Sequence, residues 1–108
     1  MKIEVLYFDG CPHHLSTVER VKSVLQEEGF QPEVSQIRIA DQSAAMALAF
    51  LGSPSVRVDG IDVEPDARCS RDFGITCRTY ANAEQREGLP SSTLIRLAIR
   101  EAAEKERG

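Results

Sequence analysis

The sequence predicts a single α/β domain of the order β-α-β-α-β-β-α, with helices covering a four-stranded mixed sheet. Three observations carry that prediction. A nearly unbroken apolar run at Lys2–Phe8 has the β-branched and aromatic make-up of a strand buried on both faces. Helical periodicity follows it, ends at a glycine, and gives way to a second alternating run. An Asp59-Gly60 pair then separates two short alternating segments, which is among the strongest short-range signs of a hairpin.

The first strand, Lys2–Phe8, takes its core residues from Ile3, Val5, Leu6, Tyr7 and Phe8. Pro12 opens the first helix, because its missing N–H falls where a helix leaves amides unpaired anyway. Leu15, Val18, Val21 and Leu25, widened by Val24, make the apolar stripe of a helix reaching Glu28, and Gly29 supplies a left-handed stop. Gln31–Ile39 alternates, with Val34, Ile37 and Ile39 turned inward. Reached through a helix, this strand lies parallel to the first by a right-handed crossover. Asp41 is an N-cap for a short helix, Gln42–Phe50, with Ala45, Leu48 and Leu51 on one face.

Gly52-Ser53-Pro54-Ser55 breaks that helix, and Val56–Val58, the Asp59-Gly60 turn and Ile61–Val63 form the hairpin. Glu64–Pro90 has no clear period and is longer than connections inside compact domains usually are, as a lid or binding loop would be. Within it, Tyr80–Arg86 is expected to form a short helical turn. Ser91 or Ser92 caps the last helix, which runs to about Lys105 with Leu94, Ile95, Leu97, Ala98, Ile99 and Ala102 as a broad apolar face.

A chain of 108 residues fits one domain, 1–108, large enough for a single core without disulfides. The formal charge of -4 offers no basic field to nucleic acid. Before Asp9 only Val5-Leu6-Tyr7-Phe8 is continuously apolar or aromatic, which is neither a signal peptide nor a membrane span. A reducing cytoplasm is therefore the expected compartment. The cysteine count, 3, is odd, so at least one thiol stays free in a monomer or pairs outside it.

Cys11 stands between the turn-prone Asp9-Gly10 and Pro12, so the first strand delivers a thiol to the first turn of a helix. Unpaired amides and the positive end of the helix dipole favour a thiolate there, the form that acts as nucleophile or soft-metal ligand. Of His13 and His14, which point about 100° apart on a helix, one is expected to stabilise the Cys11 thiolate or move a proton; His14 is the candidate. Asp9 is a turn residue and a potential proton donor. The end of the hairpin returns to the Cys11 pole, so the insertion carrying Cys69 and Cys77 begins there. Cys77, next to Arg78, is the preferred second thiol and Cys69 the alternative; the plainer reading is two incidental loop thiols, or a bridge between them.

Tyr7-Phe8-Asp9-Gly10-Cys11-Pro12-His13-His14 resembles the active-site turn of the thioredoxin and glutaredoxin superfamily. The order of elements resembles its minimal thioredoxin-like fold along nearly the whole chain, residues 64–90 excepted. Where that family reads Cys-x-x-Cys this sequence reads Cys-x-x-His, so a dithiol shuttle inside the motif is ruled out. Gly52-Ser53-Pro54-Ser55-Val56 is similar to the family's second signature, a cis-proline ahead of the third strand. The resemblance implies that Pro54 faces Cys11 and that the Ser53 backbone is free to pair with a substrate strand, with Pro12, Ser53, Pro54 and Arg78 as the substrate-binding set. Gly88-Leu89-Pro90-Ser91-Ser92 lies near where glutaredoxins hold glutathione, though without a glutathione motif, and a helix cap explains it equally well.

The activity so implied is thiol–disulfide exchange through Cys11, alone or with Cys77 or Cys69, on a disulfide of a protein or a small thiol, with no cofactor. Two alternatives stand beside it. Small proteins of this general sequence type sometimes carry alkylmercury lyase labels, which implies a soft-metal or organomercurial protein using Cys11, one loop cysteine such as Cys77, and Asp9. The other is a non-catalytic module that holds a peptide in the Ser53-Pro54 groove.

Overall fold

Alternation along the central strand decides how the layers form. In a computed structural model, which describes residues 1–82 and 85–107, β1 (Ile3–Tyr7) is flanked by β2 (Val34–Arg38), parallel to it, and by β3 (Ser55–Val58), antiparallel. The short β4 (Ile61–Asp62) completes a four-stranded mixed sheet in the order β2-β1-β3-β4. Ile3 and Val5 turn to one face, where Val18, Val21, Val24 and Leu25 of α1 (His14–Glu28) meet Ile95, Ala98, Ile99 and Ala102 of α3 (Ser92–Arg107). Leu6 turns to the other, against Ile39, Phe50 and Ala45 of α2 (Gln42–Ala47). Each fully buried Val, Leu, Ile or Phe contributes about 1.5–3 kcal/mol, so these two clusters fix which helix covers which face.

The local signals act largely as expected. Gly29 is left-handed (φ 79°) and ends α1, with the Phe30 N–H donating to the Leu25 carbonyl at 2.9 Å. The Asp41 carboxylate accepts from the Ala44 N–H at 2.8 Å and caps α2. Asp59 and Gly60 both have positive φ, 52° and 80°, the geometry of a two-residue hairpin turn. The Ser91 hydroxyl accepts from the Leu94 N–H at 3.1 Å at the start of α3.

Several expectations are corrected. The first helix starts at His14 rather than Pro12, and Leu15 is 68% exposed; Leu97 is 58% and Leu48 42% exposed. The second helix ends at Ala47, not Phe50, because Ala49 takes φ 54° and the Phe50 N–H reaches back to the Ala45 carbonyl at 2.8 Å. This left-handed ending, made on an alanine, drops Phe50 into the core.

The stretch after β4 is not a loose lid. It forms a short 3-10 turn at Pro65–Ala67 and, in place of the expected helical turn, a hairpin of β5 (Tyr80–Asn82) and β6 (Gln85–Glu87); residues 83 and 84 of the expected turn lie outside the described residues. The approach to β5 alternates, with Arg78 and Tyr80 buried and Cys77 and Thr79 exposed, so extended backbone is what buries the tyrosine. Among the described residues no helix is long and apolar enough to cross a membrane.

Candidate functional site

Phe8, just past the end of β1, ties the two parts of the site together. Its carbonyl accepts from the Cys11 N–H at 3.3 Å, closing a turn in which Gly10 takes φ 88°. Its own N–H donates to the Ser53 hydroxyl at 3.4 Å. Cys11 is half-buried and Pro12 exposed. Because α1 begins at His14 with His13 as its N-cap, Cys11 lies in the turn ahead of the helix and not, as expected, in its first turn, and no side chain caps that helix N-terminus. The Ser53–Pro54 peptide bond is cis, and Pro54, buried, precedes β3 at the pole where β1 ends, since Leu6 pairs with Ser55.

Beneath that pole lies a buried polar knot. Arg78 donates to both carboxylate oxygens of Asp62, at 2.7 and 2.8 Å, and to the Ser55 hydroxyl at 3.0 Å. Glu64 approaches at 3.6 Å, and the guanidinium carbon lies 4.3 Å from the Tyr80 ring centroid. Burial works against the Arg78 charge, but the Asp62 hydrogen bonds and the nearby negative charges hold its pKa above the ordinary value. The Tyr80 hydroxyl donates to the Pro54 carbonyl at 2.5 Å. Burial raises the Tyr80 phenol strongly; Arg78 opposes the shift, while Asp62, Glu64 and Cys11 add to it.

The knot holds the chain's own backbone against Ser53. The Ser53 N–H donates to the Thr76 carbonyl at 2.8 Å, and the Arg78 N–H donates to the Ser53 carbonyl at 3.0 Å, pairing Cys77 with Ser53 as in a parallel ladder. The expectation of a free Ser53 backbone is therefore overturned: residues 76–78 occupy it. Gly52 permits the approach, because a Cβ there would stand 3.0 Å from Arg78 Cβ and 3.1 Å from Thr76 Oγ1.

Other expected roles shift as well. Arg78 does not attend Cys77: successive residues of an extended segment face opposite ways, and its guanidinium is spent on Asp62 and Ser55. His14 stacks on Tyr7, centroids 3.5 Å apart, and its Nε2 meets Gln36 Oε1 at 2.8 Å, on the α1 side of the sheet. The His13 ring packs against Gly88, where a Cβ would overlap it. Asp9 is bound by Arg38 at 2.8 and 2.6 Å; that hydrogen bond holds its carboxyl below the usual range, and a carboxylate so held is a poor proton donor near neutrality.

All three cysteines are unbridged. Cys69 lines a cleft of about 740 Å³ whose walls include Leu51, Gly60, Ile61 and Asp62. Among the described residues, no group of three or more His, Cys, Asp or Glu side chains is gathered closely enough to hold a metal ion. Asp62, Ser55, Thr76 and Tyr80 are the site residues that sequence reasoning missed. The available signals were an aspartate inside a short apolar strand and an Arg-x-Tyr pair in an otherwise aperiodic stretch. Comparison of the chain with protein-family models, curated proteins and solved structures finds no match.

Proposed function

We propose that this protein is a thioredoxin-like thiol–disulfide oxidoreductase in which Cys11 is the attacking nucleophile and Cys77 the resolving thiol. The observation that carries the proposal is the Ser53–Cys77 pair. It holds Cys77 one strand spacing, about 4.8 Å, from the residue whose hydroxyl meets Phe8, and Phe8 closes the Cys11 turn. The β2-β1-β3-β4 order and the proline ahead of β3 support the fold half of the reading.

In this mechanism the Cys11 thiolate attacks one sulfur of a substrate disulfide. The S–S bond breaks, one half leaves as a thiolate, and the other stays joined to Cys11. The Cys77 thiolate then attacks Cys11 Sγ, the second half leaves as a thiolate, and a Cys11–Cys77 disulfide remains. The substrate has gained two electrons and the protein dithiol has lost them; an external thiol reductant returns them. The peptide-module alternative loses its docking edge, since both Ser53 backbone groups are already paired.

Turnover of a small disulfide such as hydroxyethyl disulfide, driven by a dithiol reductant, tests the scheme. Cys11→Ser falls to background. In a single turnover without reductant, Cys77→Ser stops after the first step and accumulates a mixed disulfide on Cys11 visible by intact mass. A Cys11→Ser variant as active as the wild type refutes the proposal.

A further inference from the structure

An edge that pairs with extended backbone is useful to a disulfide enzyme only if it is open. Here one ladder position beside Pro54 already has both partners, the Thr76 carbonyl on the Ser53 N–H at 2.8 Å and the Arg78 N–H on the Ser53 carbonyl at 3.0 Å. The occupying segment is not lightly held. Arg78, 8% exposed, is fastened by a two-pronged pair to Asp62, 7% exposed, and by the Ser55 hydroxyl, which itself donates to the Gly52 carbonyl at 2.6 Å. Tyr80, fully buried two residues on, anchors the same segment to the Pro54 carbonyl. Gly52 leaves just enough room for this strap and no room for a second strand between it and Ser53.

We infer that residues 76–78 are a built-in occupant of the strand-docking edge, so that the Cys11 site takes small-molecule disulfides and excludes disulfides carried on extended polypeptide. This rests on the reading of Cys11 as a nucleophile, and it narrows the substrate class of that site. A polypeptide must displace two backbone hydrogen bonds and a buried ion pair before it can pair with Ser53. A small disulfide needs only the half-buried sulfur.

The test uses the full chain and a fluorescent synthetic peptide copying residues 73–79 with serine in place of the cysteine. Wild type does not bind it. Arg78→Ala, which unfastens the strap, binds it saturably, with a Kd at least about tenfold below the highest concentration at which wild type shows no binding, the combined yield of two recovered backbone hydrogen bonds. In parallel, the ratio of turnover on reduced-chain-releasing insulin disulfides to turnover on hydroxyethyl disulfide is low in wild type and rises by a similar factor in Arg78→Ala. Saturable peptide binding by wild type, or equal turnover on both substrates, overturns the inference while leaving the redox reading intact. No turnover on either disulfide, with the peptide still excluded, overturns the redox reading and the small-disulfide substrate with it. Where Arg78→Ala does not fold, amide exchange in the wild type decides: Ser53 and Arg78 amides exchanging as fast as unpaired ones contradict a fastened strap.

Discussion

Cys69 and Cys77 are both exposed, both unbridged, and both in the stretch between β4 and α3, yet the chain around them is held differently. The Cys69 neighbourhood is fastened to the last strand of the sheet and to α3. Arg68 donates to the Asp62 carbonyl at 2.8 Å and reaches Glu101 of α3 at 3.6 Å, and the thiol opens on a cleft shared with the hairpin turn. The Cys77 neighbourhood is fastened from beneath, by Arg78 and Tyr80, and joined to the sheet pole by backbone pairing at Ser53. Eight residues of separation therefore say little about which thiol belongs with Cys11. What decides is which segment carries side chains that can be buried under the Pro54 pole.

Breaking the knot is the largest change this comparison predicts. Asp62→Ala leaves the Arg78 charge buried without its partner and costs about 3–5 kcal/mol, read from denaturant unfolding. The same variant loses the preference for Cys77 over Cys69 as the partner of Cys11 on oxidation. An unfolding midpoint equal to the wild type's would mean that the ion pair does not hold the strap.

A smaller effect sharpens the same point. Tyr80→Phe keeps the ring and removes the hydrogen bond to Pro54, costing roughly 1–2 kcal/mol near neutrality. Burial raises the phenol above its ordinary value of 10.0, so its neutral form adds stability that is whole below that value and is lost as pH rises toward the folded-state pKa. Unfolding titrated from pH 9 upward should show a steep alkaline loss in wild type and a shallower one in Tyr80→Phe. Parallel curves would contradict the assignment.

The smallest effect belongs to Cys69. Exposed, and with its neighbours bound through other atoms, Cys69→Ser changes stability by less than about 0.5 kcal/mol and leaves disulfide turnover unchanged. A loss of turnover in this variant would move the resolving role away from Cys77.

The sheet and its helices were legible because most are written in local signals: the apolar run of β1, the Asp41 cap, the glycine after α1, the Asp59-Gly60 turn. β2 does not alternate, since Val34 and Ile37 pack into the clusters on opposite faces. The end of α2 was not, since its left-handed residue is an alanine, which carries no such signal. The Cys11 turn was legible from its neighbours, whereas the strap was not. Its buried face is made of Arg78 and Tyr80, so apolar periodicity is absent although the geometry alternates. The arginine is buried only because Asp62, sixteen residues earlier, meets it, and a pairing of that range leaves no periodic mark. Residues read for chemistry, His14 and Asp9, turn out to be bound to Gln36 and Arg38, partners on the neighbouring strand.

Disulfide mapping of the protein oxidised by a small disulfide at low protein concentration addresses the central claim most directly. Proteolysis and mass spectrometry should recover a peptide pair joined through Cys11 and Cys77, with Cys69 carrying a free thiol. Recovery of a Cys69–Cys77 bridge, or of Cys11 joined to neither, would contradict it.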